Sequence, residues 1–313
     1  MRIAVTGSSG YLGQLVLRAL DRDPAVTSVL GLDVQPSAFT SPRLTHRNAD
    51  VRTADFRHHF QGCDAVYHLA FIVQAPRSMS LATVNEINIE GSRRVFEGAV
   101  AAGVPKILHA SSIAAYGAHP DNPTGLNEDF PLRPNPDWFY SRTKGDVERQ
   151  LDTLQRKHPD LIIIRFRPCI FIGPSTDNTM GRMFAAPLMF LVRGDDLVDL
   201  CWDADVAEAF RLGLHYDKSD AFNLTGADPR SLREYADLLK KFVVPVPEKI
   251  FVTIARTANL LGLLPQADFE WTKAMVGGAI ITSSARARER LGWQPQYDAV
   301  GTALAFAHTR GIL

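Results

Sequence analysis

VTGSSGYLGQLV, residues 5–16, sets glycines at positions 7, 10 and 13. Ahead of it, RIAVTG (2–7) is apolar and β-branched and reads as a strand. Behind it, Leu12, Leu15, Val16 and Ala19 recur at i, i+3, i+4 and i+7 along YLGQLVLRALD (11–21), the stripe of an amphipathic helix. A glycine pattern gains meaning from that strand–turn–helix setting. Gly7 permits a sharp turn, Gly10 lets the backbone approach a pyrophosphate, and Gly13 lets helix and strand pack closely. The free N–H groups and dipole of the helix N-terminus favour the anion.

The same alternation continues outward. SVLGLD (28–33), a short run near 43–48, DAVYHLA (64–70), KILHASS (106–112) and LIIIRFRP (161–168) read as strands. NIEGSRRVFEGAVAAG (88–103) and YSRTKGDVERQLDTLQRK (140–157) have helical spacing. Strands apolar throughout and separated by helices indicate a parallel sheet covered on both faces. The expected fold is therefore α/β: a Rossmann-like doubly wound parallel sheet over residues 1–170, then a smaller mixed α/β substrate domain over 171–313. A strand or two from about 197–225 is expected to return to the main sheet. The segment 117–137 carries five prolines and cannot be regular structure. It lies after a strand and before a helix, where open parallel sheets place their ligand.

Asp33 ends the second strand, 20 residues beyond Gly13. A carboxylate there accepts from both ribose hydroxyls of an adenosine and repels a 2′-phosphate, and Val34 and Gln35 supply no arginine. NAD is thus preferred to NADP. Asp50, after the third strand, is placed to approach the adenine, although alone it reads as a turn aspartate.

With 34 basic and 34 acidic residues, formal net charge is zero, so no global field favours nucleic acid or an anionic membrane. No apolar run approaches the length of a membrane span, and no basic-then-apolar leader opens the chain. The three cysteines lack CxxC spacing and the nine histidines lack HxH or HExxH spacing, so neither a disulfide framework nor a metal is expected. The expected location is cytoplasmic and the expected partner a small-molecule substrate.

Within the 140–157 helix, Tyr140 and Lys144 project from one face a turn apart. A phenol is a poor base near neutrality, and a neighbouring ammonium lowers its pKa. It then exchanges a proton with an alcohol while hydride moves to or from a nicotinamide. A hydroxyl is needed to orient the reacting oxygen, and Ser111 and Ser112 both stand at the end of the 106–112 strand.

Taken in order, the landmarks are TGSSGYLG (6–13), Asp33, NADV (48–51), HLA (68–70), NIEG (88–91), SSIAAYG (111–117), Glu128, Tyr140-x-x-x-Lys144, Glu148 and Arg167-Pro168 with Gly173-Pro174. In these the chain resembles an extended short-chain dehydrogenase/reductase of the NAD-dependent epimerase/dehydratase type, closely to about residue 175 and loosely beyond. The resemblance implies Ser112, by its place four residues before Tyr116, with Tyr140 and Lys144 as the catalytic trio. It implies Ser9, Gly10, Tyr11 and Leu12 on the pyrophosphate, Asp33 on the ribose, Asp50 and Val51 near adenine, and Leu69 and Ala70 along the cofactor. Lys144 would also hold the nicotinamide ribose. A homodimer through the helices near 88–102 and 140–157 is implied as well.

Three departures bear on the substrate. Dehydratases of the family carry Asp-Glu directly after the active hydroxyl, where this chain has Ile113 and Ala114. Sugar-nucleotide epimerases carry an Asn three residues after the Arg that ends strand six, where this chain has Ile170. Their Arg-Pro-Gly-Asp segment is replaced by FEWTKAMVGGAIITSSARARERLGW (269–293). The expected activity is an NAD(P)-dependent oxidoreductase or epimerase acting at a secondary alcohol or ketone carbon, of a sugar or sugar nucleotide by family average. The alternative is a reductase or dehydrogenase of a non-sugar ketone or aldehyde, and a remoter one an NAD(H)-sensing binding protein.

Overall fold

The computed structural model describes residues 1–260 and 278–313, apart from 75, 77 and 193. Its main sheet holds β1 (Arg2–Thr6), flanked by β2 (Ser28–Asp33) and β3 (Leu44–Asn48) on one side. On the other side lie β4 (Ala65–His68), β5 (Lys106–Ala110) and β6 (Ile162–Pro168). The remaining strands are β7 (Ile170–Ile172), β8 (Leu188–Leu191), β9 (Leu197–Val198), β10 (Leu200–Trp202), β11 (Asp220–Leu224), β12 (Arg230–Ser231) and β13 (Phe242–Pro245). The main sheet runs β11-β6-β5-β4-β1-β2-β3, with every pair parallel. Its order reverses between β1 and β4, so the crevice at the strands' carboxyl ends opens there.

Eleven α-helices are named among the described residues: α1 (Tyr11–Asp21), α2 (Phe56–His59), α3 (Leu81–Asn85), α4 (Gly91–Ala101), α5 (Phe139–Lys157), α6 (Thr179–Ala185), α7 (Asp203–Leu214), α8 (Leu232–Leu238), α9 (Glu248–Leu260), α10 (Ala285–Leu291) and α11 (Ala299–Thr309). Strand alternation sorts them into layers. Ile3, Val5, Leu108 and Ile164 face one way, into a core with Val16 and Leu20 of α1 and Val206 and Phe210 of α7. Ala4, Ile107 and Ile163 face the other way, against Phe96 of α4 and Val147 and Leu151 of α5. A third core, around Phe184, Leu200, Tyr235 and Phe306, belongs to the C-terminal part.

One departure from expectation has a local cause. The helix expected over 88–103 begins earlier, at Leu81, where the Ser80 hydroxyl accepts from Thr83 N–H. It passes through a wide π turn over Glu86–Glu90 before α4. That turn sets Asn88 inward, where its amide accepts from Ile72 N–H (2.8 Å) and donates to Ile72 O (2.9 Å), pinning the loop after β4. Of the C-terminal strands, β11 joins the main sheet, while β9 and β10 pair with β12 and β7 in separate two-stranded sheets.

Glu148 of α5 is fully buried where the ends of β5 and β6 meet the helix. Its Oε1 accepts from Ser111 Oγ (2.6 Å) and Arg167 Nε (2.8 Å). Its Oε2 accepts from Arg167 Nη2 and Arg165 Nη1, both at 3.1 Å. Burial alone would raise this carboxyl; the Arg167 and Arg165 guanidinium groups overcome it and hold the group well below the usual range. Arg167 donates onward to Tyr116 Oη (2.9 Å), which donates to Asn223 Oδ1 of β11 (2.9 Å). Asn223 N–H donates to Glu128 Oε1 (2.7 Å), so the proline-rich loop joins the chain of bonds. Glu148→Gln leaves Arg167 buried without its counter-charge. It is expected to lower stability by about 3–5 kcal/mol in urea unfolding, and a loss below about 1 kcal/mol would contradict the pairing.

Candidate active site

The turn from β1 to α1 is built for close approach. Gly7 has φ +71°, and a Cβ there would stand 2.4 Å from Ala70 N. A Cβ at Gly13 would stand 2.1 Å from Gly7 O. These two glycines are thus required by the protein's own packing. Gly10 differs: a Cβ there meets Gly7 O at 3.4 Å, ordinary contact. Its bareness leaves the backbone accessible from the crevice, as a pyrophosphate cradle needs.

Asp33 closes the turn from the β2 side. Its Oδ2 accepts from Ser9 N–H and its Oδ1 from Gln35 N–H, both at 3.0 Å. Ala49 N–H donates to Asp33 O (3.0 Å), which brings Asp50 and Val51 beside it. The Asp50 carboxylate is gripped by Arg52, with Nη2 at 2.6 Å, and is held below its ordinary range chiefly by that hydrogen bond. Val51 is buried against Gly91, where a Cβ would come within 2.6 Å of its Cγ2. Leu69 N–H donates to Thr6 O (3.0 Å), setting Leu69 and Ala70 along the glycine turn.

Tyr11 was expected at the pyrophosphate, yet its phenol points toward the C-terminal part. It donates to Asp203 Oδ2 (2.5 Å) and bonds Thr176 Oγ1 (2.7 Å). Burial, then the hydrogen bond to Asp203, push this phenol up. Tyr11 nonetheless lines the crevice.

The other wall carries Ser112, Tyr140 and Lys144. Ser111 and Ser112 separate clearly: Ser111 donates to buried Glu148, whereas Ser112 accepts from Ala114 N–H (3.1 Å) and hydrogen-bonds Tyr140. Burial pushes the Tyr140 phenol up, and the bond from Ser112 works against it. Lys144 is 2% exposed. Its Nζ donates to Ala110 O (2.7 Å) and lies 3.5 Å over the Phe71 ring. Burial lowers its ammonium to about 7, opposed by the charge of Glu148. The ammonium expected to act as a fixed charge beside Tyr140 is therefore poised to titrate near neutrality.

Both walls enclose one cavity of about 570 Å³, lined by Gly7, Gly10, Tyr11, Leu12, Gly13, Leu69, Ser112, Tyr140 and Lys144 among others. Ser9, Asp33, Asp50, Val51 and Ala70 flank it without lining it. Phe71, Trp138 and Ile280 crowd Tyr140: the Phe71 ring meets it edge-on at 5.9 Å and Trp138 at 6.1 Å. Asp199 lines the same cavity. The sequence reading missed these four. The legible signal for Asp199 was an acid inside an apolar run; Trp138 lay two residues before Tyr140.

A doubly wound sheet with a phosphate-type glycine turn, an acid after β2 and a Ser–Tyr–Lys wall defines a dinucleotide-binding protein of the short-chain dehydrogenase/reductase kind. Residues 3–224 match the model of the NAD dependent epimerase/dehydratase family, and the chain belongs to that family. It is similar to a UDP-glucose 4-epimerase of Mycolicibacterium smegmatis, 28% identical over 95% of this chain and 94% of the relative. A 4-hydroxy-2-methyl-3-oxo-4-farnesyl-3,4-dihydroquinoline-1-oxide ketoreductase of Stigmatella aurantiaca is 27% identical over 94% of this chain and 92% of its own length. Among solved structures, MoeE5 in complex with UDP-glucuronic acid and NAD shares the fold, with a TM-score of 0.76 at 22% identity and full coverage of both chains.

The Lys144 shift has a signed consequence. Its ordinary value is 10.5, against about 7 when folded. Between these, the unfolded chain binds more protons, so stability rises with pH, by at most about 1.4 kcal/mol per pH unit. The cost of burying the ammonium is fullest below pH 7 and fades toward 10.5. Lys144→Met, measured without cofactor, should therefore raise Tm most near pH 6, with the gap over wild type narrowing to about half by pH 9. An equal gap at both would contradict it.

Proposed function

We propose that this protein is an NAD-dependent oxidoreductase or epimerase that moves a hydride at a secondary alcohol or ketone carbon. The observation that carries this reading is that α5 sets Tyr140 and Lys144 a turn apart on the wall of a cavity that also holds the glycine turn and the strand-end Ser112. NAD, when bound, supplies the hydride acceptor or donor. The Gly10 backbone and the N-terminus of α1 hold its pyrophosphate, and Asp33 holds the adenosine ribose and disfavours a 2′-phosphate. Residues 1–170 then serve the nucleotide, and 171–313 mainly the substrate.

Tyr140 Oη takes the carbinol proton on oxidation and returns it on reduction. Ser112, hydrogen-bonded to Tyr140, orients the same oxygen. Lys144, in its charged form, favours the phenolate against the burial that raises it. Three buried free thiols suit a reducing cytosol, and among the described residues no helix is long and apolar enough to cross a membrane. A homodimer through the helices near 88–102 and 140–157 completes the proposal.

The likeness to a UDP-glucose 4-epimerase supports a sugar derivative as substrate. A second reading, net redox chemistry on a non-sugar ketone, is favoured by the apolar surround of Tyr140, formed by Phe71, Trp138 and Ile280. The likeness to a ketoreductase supports that reading. In either case Tyr140→Phe should cut turnover by about 10²–10⁴ and leave NAD affinity within about twofold. Turnover near wild type would sink the assignment.

A further inference from the structure

Asp199 interrupts the apolar run Leu197-Val198-Asp199-Leu200-Cys201. It is 3% exposed and lines the cavity. Its Oδ2 accepts from Thr282 N–H at 3.0 Å. Among the described residues its Oδ1 and the Thr282 hydroxyl meet no partner at full hydrogen-bonding distance, and the Thr225 hydroxyl beside the carboxyl acts on it as a donor that lowers it. Buried polar atoms are nearly always paired, and a buried carboxylate oxygen most of all demands a donor. The groups that act on it, Thr282 and Thr225, are neutral, and burial raises the carboxyl to about 6. The titratable groups that feel its charge, Cys169 and Cys201 and Tyr235 of α8, are all pushed up by burial and stay neutral.

The wall between Asp199 and the reaction centre is short. Ile280 packs with Ala114, Ala118, Trp138 and Tyr140. Two residues further on, Thr282 holds Asp199. Two residues of chain span at most roughly 7 Å. Leu197, Val198 and Ile170, which line the same cavity, offer no polar side chain.

We propose that Asp199 recognises the substrate: its Oδ1 accepts a hydrogen bond from a hydroxyl group of the molecule whose carbinol or ketone carbon lies at Tyr140. This rests on the cavity being the hydride-transfer pocket, but its test reads binding independently of turnover. The probes are 2-decalol and decahydronaphthalene-2,6-diol, alike in shape and differing by one hydroxyl. Their affinities for the full chain in saturating NAD are read by thermal-shift titration, and their oxidation by NADH absorbance.

Wild type should bind the diol at least about tenfold more tightly at pH 7.5, the worth of a hydrogen bond to a charged acceptor. Asp199→Asn keeps an acceptor for Thr282 N–H. It should retain mono-alcohol affinity while most of the diol preference disappears. In wild type alone, the preference should also shrink at pH 5, as the carboxylate takes up a proton; Lys144 titrates in that range but bears on both probes alike. This second measurement stands if the variant fails to fold. No preference in wild type, a preference unchanged in the variant or at pH 5, or equal weakening of both probes would overturn the proposal. Preserved diol preference without NADH formation from either probe would instead count against the hydride-transfer reading.

Discussion

The carboxylate of Glu148, buried between the guanidinium groups of Arg165 and Arg167, sets the rotation of α5. Residues 140, 144 and 148 fall at i, i+4 and i+8 on one face of that helix. Fixing Glu148 against the ends of β5 and β6 therefore aims Tyr140 and Lys144 at the strand end that bears Ser112. A charge so deep is stable only when fully paired. The pairing also recruits Tyr116, Asn223 and Glu128, which tie the proline-rich loop and β11 to the same point. One buried carboxylate, paired with two guanidinium groups, thus holds together the elements that meet at the cavity.

Burial then does the chemical tuning. Lys144 loses water to Phe71 and Ala110 and falls to about 7. Tyr140 is pushed up, with Ser112 opposing. Asp199 is raised to about 6 by its apolar strand. Burial thus draws Lys144 and Asp199 toward the neutral range while it moves the Tyr140 phenol away from it, so the charged form of Lys144 and the Ser112 bond are what favour the phenolate. The glycine turn contributes through what it lacks: Gly7 and Gly13 let strand, helix and the β4 end close up, while Gly10 leaves backbone bare toward the crevice.

The parallel sheet was legible because β1, β2, β4, β5 and β6 are largely apolar runs and the Gly7–Gly13 turn announces its own context, whereas β3, Leu44–Asn48, is mostly polar. Tyr140 and Lys144 were legible by helical spacing. Side-chain partners decided by distant segments were not legible. Tyr11 turns its phenol to Asp203, 192 residues away. Ser111 rather than Ser112 is claimed by Glu148, 37 residues further on. The start of the Leu81 helix rested on a Ser80 cap, and its π turn on Asn88 reaching Ile72. The short strands of 197–202 pair within the C-terminal part because their partners, β7 and β12, come from there. The sequence signal at 269–293 is testable only from residue 278 onward, since 269–277 lie outside the described residues.

The central claim is that the Ser112–Tyr140–Lys144 wall directs hydride to a carbonyl carbon held beside it. The most direct measurement uses NADH deuterated at both C4 positions, with 2-decalone as acceptor, and locates the label in the alcohol by NMR and mass spectrometry. The account predicts one deuterium on the carbinol carbon. A product unlabelled at that carbon would contradict it.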